Sequence, residues 1–200
     1  QWREMGFEEM QGDFVVSSFL NFDALYTPQD HPARELHDTF FMDRPGEADI
    51  SKFVDSGNDR VEHVRQTHEN GWTTGSTGWG YDWSRDEAKR NVLRTHTTSV
   101  SAQKLSELDE KDLPAKFFTV SRNFRNETVD RTHLAEFYQT DGIVVGEDLS
   151  FKNLKGYLTK FFEKMGYDEV RLIPSYYPYT EMSVEIQVYD DEEDEWMGLG

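Results

Sequence analysis

The sequence predicts an α+β fold, a mostly antiparallel sheet flanked by helices, in a single domain over residues 1–200. Three observations lead there. Residues 115–126 and 134–147 read as two long strands joined by a short polar connection, 128–132, which suits an antiparallel pair. Residues 151–165 form an amphipathic helix with Phe151, Leu154, Leu158, Phe161 and Phe162 on its apolar side, ended by Gly166. Residues 170–189 then read as one or two strands around Pro174 and Pro178. Nowhere do strands and helices alternate in the rhythm of a parallel sheet.

The earlier elements are shorter. Residues 6–20 read as extended, with a turn at Gly12-Asp13. Pro32 suits the first position of a short helix that continues over 33–41. Ile50, Phe53, Val54, Val61 and Val64 give residues 50–71 a helical spacing. Residues 71–81 are a Gly/Thr/Ser loop with two tryptophans. It lacks the Gly-Lys-Ser/Thr ending of a phosphate-binding loop, so it reads as structural. Ser84 caps a helix running through residue 93, and 102–113 is another helix.

Composition narrows the function. Two hundred residues, 14% of them aromatic, are enough for one folded core. No stretch approaches twenty apolar residues, so no membrane partner is expected. The absence of cysteine removes disulfides and thiolate catalysis, and a cytoplasmic location is the simplest reading. His31, His63 and His68 make no credible metal set. The start at Gln1, without Met or a signal-like region, reads as a piece of a longer protein.

The formal net charge of -18 predicts an origin in a high-salt cytoplasm, since such a surface repels itself and nucleic acid unless screened. The Debye length falls from about 30 Å at 0.01 M salt to about 3 Å at 1 M. The thermal midpoint is therefore expected to climb steeply with KCl over that range. A flat or falling midpoint refutes the high-salt origin.

The chemistry concentrates on the long hairpin. Residues two apart on a strand share a face. Arg125 and Glu127 therefore point one way, as do Phe137, Gln139 and Asp141 on the returning strand. A face offering a guanidinium, two carboxylates, an amide and a ring lines a polar site rather than a core. It suits a nucleotide: arginine forks onto phosphate, a carboxylate accepts from an exocyclic amine, and a ring stacks on a base.

Phe124-Arg125-Asn126-Glu127, a short loop, then His133 and Phe137 resemble motif 2 of the class II aminoacyl-tRNA synthetases. The resemblance implies that Arg125 binds the ATP α-phosphate and the amino-acid carboxylate. It implies that Glu127 recognises the adenine amine, Phe137 stacks on adenine and His133 lies near the phosphates. Further segments are similar to the archaeal and eukaryotic α subunit of the phenylalanine-specific members. They are Asn21-Phe22-Asp23-Ala24-Leu25, Pro28-Gln29-Asp30-His31-Pro32-Ala33-Arg34, Asp38-Thr39-Phe40, residues 74–81, Leu93-Arg94-Thr95-His96-Thr97-Thr98 and Tyr177-Pro178-Tyr179-Thr180-Glu181, in the family's order over nearly the whole chain.

That second resemblance implies phenylalanine activation by a class II synthetase core, with ATP as substrate and Mg2+ as cofactor. Gln139 and Asp141 would hold the substrate ammonium, the family often having Glu where Asp141 stands. His96 and Thr98 would hold the amino-acid backbone, and Tyr177 and Tyr179 would flank the substrate ring. Glu181 and Glu185 would supply oxygen ligands to magnesium, although Gly198 stands where the family often has another Glu. His37 occupies a place where bacterial relatives have a tryptophan near the substrate.

The implied assembly is α2β2, with the β subunit supplying much of the contact to tRNA(Phe) and the editing of tyrosine. In the family's order motif 3 comes after residue 200. The resemblance therefore implies a catalytic domain truncated before motif 3 and inactive by itself. Two alternatives stay open: a sibling class II enzyme for phosphoserine or pyrrolysine, and a non-catalytic paralogue acting as an interaction module.

Overall fold

The computed structural model describes every residue except 36–37, 56–57, 127–133, 168, 191–193 and 200. In chain order the strands are β1 Glu8–Glu9, β2 Val15–Ser17, β3 Val54–Asp55, β4 Asn58–Asp59, β5 Asn91–Leu93, β6 Ala115–Phe124, β7 Glu136–Val145, β8 Val170–Ser175, β9 Ser183–Asp190 and β10 Glu195–Gly198. The α-helices are α1 Ser18–Asn21, α2 Arg60–Asn70, α3 Arg85–Lys89, α4 Thr98–Glu107 and α5 Phe151–Met165. The residues fall into two compact units, 1–9 with 110–117 and 143–200, and 10–109 with 118–142. Strands β6 and β7 contribute residues to both.

In the unit 10–109 with 118–142, β2 pairs antiparallel with β5 in the register Val15↔Leu93, Val16↔Val92, Ser17↔Asn91. Ser17 ends that strand and caps α1 by accepting from the Leu20 N–H at 3.2 Å. Val16, Phe19, Leu20, Ile50, Phe53, Val61, Trp83, Ala88 and Val92 form one apolar cluster. Asp59 and Ser84 cap α2 and α3 by accepting from Glu62 and Glu87. Gly71 ends α2 at φ 82, where a Cβ would lie 1.8 Å from the Ser76 carbonyl oxygen.

Two buried polar knots hold the loops of this unit. Asp23 takes the Trp83 Nε1–H at 2.7 Å, a Gln29 amide N–H at 3.0 Å and Arg34 at 3.2 Å. His68 donates from Nε2 to the Asp23 carbonyl and accepts at Nδ1 from the Tyr81 hydroxyl, both at 2.8 Å. Burial lowers the His68 pKa and pushes Tyr81 up to about 12, so both are neutral. The loop at residues 71–81, read from the sequence as structural, is tied in by His68 and by Trp79, whose N–H donates to the His68 carbonyl at 2.7 Å.

The second knot is Arg94, fully buried. It donates to the carbonyls of Arg122 at 3.0 Å and Gly12 at 3.1 Å, and to the Ser121 hydroxyl. Its guanidinium also lies 5.0 Å from the centre of the Phe14 ring. It therefore fixes the strand that leads to Arg125.

In the other unit, β10-β9-β8 form an antiparallel sheet with Ile186 and Val188 buried. Helix α5 opens on a Ser150/Asn153 capping box and closes at Gly166 in the left-handed region. Trp2 stacks on Phe161 at 4.3 Å and meets Phe7 edge-on at 4.8 Å. A third sheet runs in the order β1-β6-β7.

The expected α+β class is present, the two long strands are neighbours as β6 and β7, and α5 has the predicted bounds; the expected connection 128–132 lies outside the described residues. Five local expectations are corrected. Of the helix expected over 33–41, the described residues show one 3-10 turn, Pro32–Arg34. The backbone beyond it aligns with β5 instead, Leu93 donating to Phe40 and Met42 to Asn91 at 2.9 Å each. The described residues of 50–71 form a 3-10 turn, the paired strands β3 and β4, and α2, so Ile50 and Phe53 reach the core from the turn and Val61 from α2. The helix capped by Ser84 stops at Lys89, because Val92 is wanted in the core as a strand residue. The helix expected over 102–113 starts earlier, at Thr98, and ends at Glu107. Within 6–20 only Glu8–Glu9 and Val15–Ser17 are strands, since Ser17 caps a helix.

Candidate functional site

Strand alternation puts Thr119, Ser121 and Asn123 on one face of β6, with Arg125 just beyond its end in the same phase, and Phe137, Gln139 and Asp141 on one face of β7. The opposite face carries the exposed Arg122–Glu136 ion pair at 3.0 Å. The Arg125 N–H donates to the Ala135 carbonyl at 3.0 Å, which closes the described end of the hairpin. The Arg125 guanidinium lies 5.0 Å from the centre of the Phe137 ring, and its Nε–H donates to the Thr95 carbonyl at 3.2 Å.

The segment 95–98, between β5 and α4, meets this face. Asn21, fully buried, anchors it by exchanging hydrogen bonds with Thr95 at 3.0 and 3.2 Å. The Asn21 carbonyl accepts from His96 Nε2 at 2.8 Å. The Thr97 N–H donates to Gln139 Oε1 at 3.1 Å, and Asn123 Nδ2 donates to the same oxygen at 2.8 Å. Ser101 donates to Asp141 at 3.1 Å, and Thr98 also hydrogen-bonds that carboxylate.

Burial sets the electrostatics. It raises the Asp141 pKa against the hydrogen bonds from Ser101, Thr98 and the Gly142 backbone. It pushes His96 down to about 4, with the nearby Arg125 charge acting the same way and the Asn21 carbonyl opposing it. His96 is therefore a neutral imidazole whose Nδ1 carries a lone pair.

Polar atoms sealed from solvent without a partner are uncommon in folded proteins. Among the side chains of the described residues they are Arg34 Nε, His96 Nδ1, Thr97 Oγ1 and Asn123 Oδ1. Three of the four belong to residues of this one cluster.

Of the residues expected from the sequence, the structure brings together His96, Thr98, Arg125, Phe137, Gln139 and Asp141. Glu127 and His133, together with His37, lie outside the described residues. Tyr177 and Tyr179 sit on the turn between β8 and β9, in the other unit, with ring centres 6.3 Å apart and planes at 44°. Glu181 is exposed on the same turn, and Glu185 on β9 accepts from Gln187 at 2.7 Å. No group of three or more His, Cys, Asp or Glu among the described residues could hold a metal ion. Asn21, Thr97, Ser101 and Asn123 were not anticipated. Asn123 had a signal, since the alternation that pairs Arg125 with Glu127 runs back to it.

The whole chain, residues 1–200, matches the family model described as "tRNA synthetases class II core domain (F)". The chain belongs to the class II tRNA synthetase core family. It is 50% identical over 197 residues to a phenylalanine–tRNA ligase alpha subunit from Methanopyrus kandleri, covering 98% of this chain and 36% of that protein. Alpha subunits of the same description from Archaeoglobus fulgidus and Homo sapiens are 51% identical over 186 residues and 48% identical over 200. They are covered over 37% and 38% of their length, and this chain over 93% and 98%. The chain thus spans little more than a third of the length of these relatives. The crystal structure of pyrrolysyl-tRNA synthetase from Desulfitobacterium hafniense shares the fold. Its TM-score is 0.55 and its identity 14%, over 98% of this chain and 52% of that one.

Proposed function

We propose that the full-length protein is a phenylalanine–tRNA ligase α subunit, which activates L-phenylalanine with ATP and passes it to tRNA(Phe), and that residues 1–200 form part of its aminoacylation domain. The observation carrying this reading is the Arg125 guanidinium set beside the Phe137 ring, in phase with Gln139 and Asp141 on the hairpin, in a cluster where three polar side-chain atoms are sealed without partners. The phenylalanine carboxylate, already ionised at neutral pH, attacks the ATP α-phosphorus. A new O–P bond forms, the bond to the β-phosphate oxygen breaks, and pyrophosphate leaves. A 3′-terminal ribose hydroxyl of the tRNA then attacks the carbonyl of the adenylate, its proton passes to the departing phosphate, and AMP leaves.

The protein positions and stabilises rather than moving a proton. Arg125 is the catalytic residue: its charge faces the phosphate as negative charge builds in the transition state. Phe137 offers a ring to adenine, with Glu127 and His133 completing the nucleotide end. Asp141 offers a carboxylate to the ammonium, with Gln139, His96 and Thr98 around the amino-acid backbone, and Tyr177 and Tyr179 pack on the substrate ring. Glu181 and Glu185 give oxygen donors of the hard type magnesium prefers. Two carboxylates leave most of its positions to phosphate and water, which fits its usual binding beside nucleotides. When bound there, Mg2+ neutralises phosphate charge. The partners are a β subunit in an α2β2 assembly and tRNA(Phe), in the cytoplasm.

Phenylalanine-dependent exchange of pyrophosphate into ATP by the full-length protein with its partner subunit tests the reading. Its absence would leave an interaction module. The same assay tests the ring pocket. A mainly aromatic pocket rejects an added hydroxyl weakly, by a factor on the order of 10² in comparable synthetases. Adenylate formation is expected to favour phenylalanine over tyrosine by about that factor, and discrimination above about 10⁴ before editing contradicts the assignment of Tyr177 and Tyr179.

A further inference from the structure

We propose that Asn123 is a positioning residue that turns the side-chain amide of Gln139 so that its NH2 group, rather than its oxygen, faces the substrate, and that Gln139 therefore recognises the substrate carboxylate. This rests on the functional reading above.

An amide oxygen has two lone pairs. On Gln139 both are taken, by the Thr97 backbone N–H at 3.1 Å and by Asn123 Nδ2 at 2.8 Å. A backbone N–H only donates, so the atom it meets on Gln139 must be the oxygen, and the amide cannot be reversed without orphaning Thr97. That in turn fixes Asn123: its NH2 faces Gln139, because the reverse would set two carbonyl oxygens against each other. The consequence is visible at the far end of Asn123, where Oδ1 is sealed from solvent without a partner. A fully buried side chain left in that state is a poor choice for stability alone. An apolar residue of similar size avoids the cost. What the asparagine adds is the second donor that locks Gln139.

With its oxygen occupied, Gln139 meets a ligand through N–H donors, which suit a carboxylate and repel an ammonium. Acceptors for the ammonium remain in the same cluster. Asp141 is two residues along the same face of β7, and His96 Nδ1 carries a lone pair and has no partner. The carboxylate then lies between Gln139 and the guanidinium of Arg125, while the ammonium lies toward Asp141.

The test is Asn123→Asp in the full-length protein with its partner subunit. The new carboxylate repels the Gln139 oxygen and draws its NH2 inward. Two inhibitors report the two ends of the substrate: 3-phenylpropionate, which has no ammonium, and phenethylamine, which has no carboxylate. A hydrogen bond to a charged group changes binding on the order of tenfold. The KM for phenylalanine and the inhibition constant of 3-phenylpropionate are expected to rise about tenfold. The KM for ATP and the inhibition constant of phenethylamine should stay within about twofold. Asn123→Val, which removes the donor with little change in shape, should show the same selectivity at about three- to fivefold and stands in if the first variant does not fold.

Equal weakening of both inhibitors, weakening of phenethylamine alone, or no change in either overturns the inference while leaving the functional reading intact. An unsubstituted protein that shows no phenylalanine-dependent exchange removes the functional reading, and this inference with it.

Discussion

Replacing Arg125 by alanine in the full-length protein is expected to lower phenylalanine-dependent pyrophosphate exchange by a factor on the order of 10²–10³. The reason is positional. Arg125 lies just past the end of β6, where Ser121 and the Arg122 carbonyl are pinned by the buried Arg94, and its Nε is tied to the Thr95 carbonyl at 3.2 Å. A guanidinium held on both its backbone and its side chain need not reorganise as charge builds on the phosphate. That preorganisation makes a single donor worth more than an ordinary hydrogen bond. Arg125→Lys keeps a charge but loses the planar fork, so it should recover only part of the rate. Exchange within about threefold of the unsubstituted protein in the alanine variant would sink the assignment of Arg125 as the catalytic residue.

Acid is expected to destabilise the protein through His96 well above the pH at which ordinary carboxylates protonate. The unfolded chain binds a proton at His96 near pH 6.5, whereas burial pushes the folded value down to about 4. Between those values the unfolded state binds more protons, so stability rises with pH across the window and is lost as pH falls through it. The full effect of this one group is at most about 3 kcal/mol. His68 acts in the same direction, also through burial. Asp141 acts in the opposite one, since burial raises its pKa and the folded state holds its proton more readily. Comparison with His96→Gln isolates the group. The advantage of the unsubstituted protein over the variant in urea melts should shrink as pH drops from 6.5 toward 4. An advantage that stays constant over that interval would show that His96 does not titrate as its burial demands.

The parts of this molecule that could be read from the sequence are those with a local cause. Side-chain alternation on β6 and β7 repeats every two residues, so the polar face bearing Arg125, Gln139 and Asp141 was apparent without knowing what packs against it. Helix α5 carries its own apolar stripe, with Ser150 before it and Gly166 after it, and its bounds followed. Where local preference and tertiary pairing disagreed, pairing prevailed. Phe40 and Met42 align with β5 rather than continue a helix from Pro32, and Val92 is drawn into the core as a strand residue although Ser84 starts a helix close by. Short elements have little propensity of their own to resist such contacts.

The sequence alone determined that a class II core of the phenylalanine type was present and which residue types lined its hairpin. The tertiary structure decided how those groups are oriented and charged. The direction of the Gln139 amide depends on the Thr97 N–H, 42 positions away in the chain. His96 is neutral because of its burial and the nearby Arg125 charge, which together outweigh the pull of the Asn21 carbonyl, 75 positions away, toward the charged form. An amide's direction and an imidazole's protonation answer to the atoms packed around them, and no local pattern in the chain encodes those neighbours.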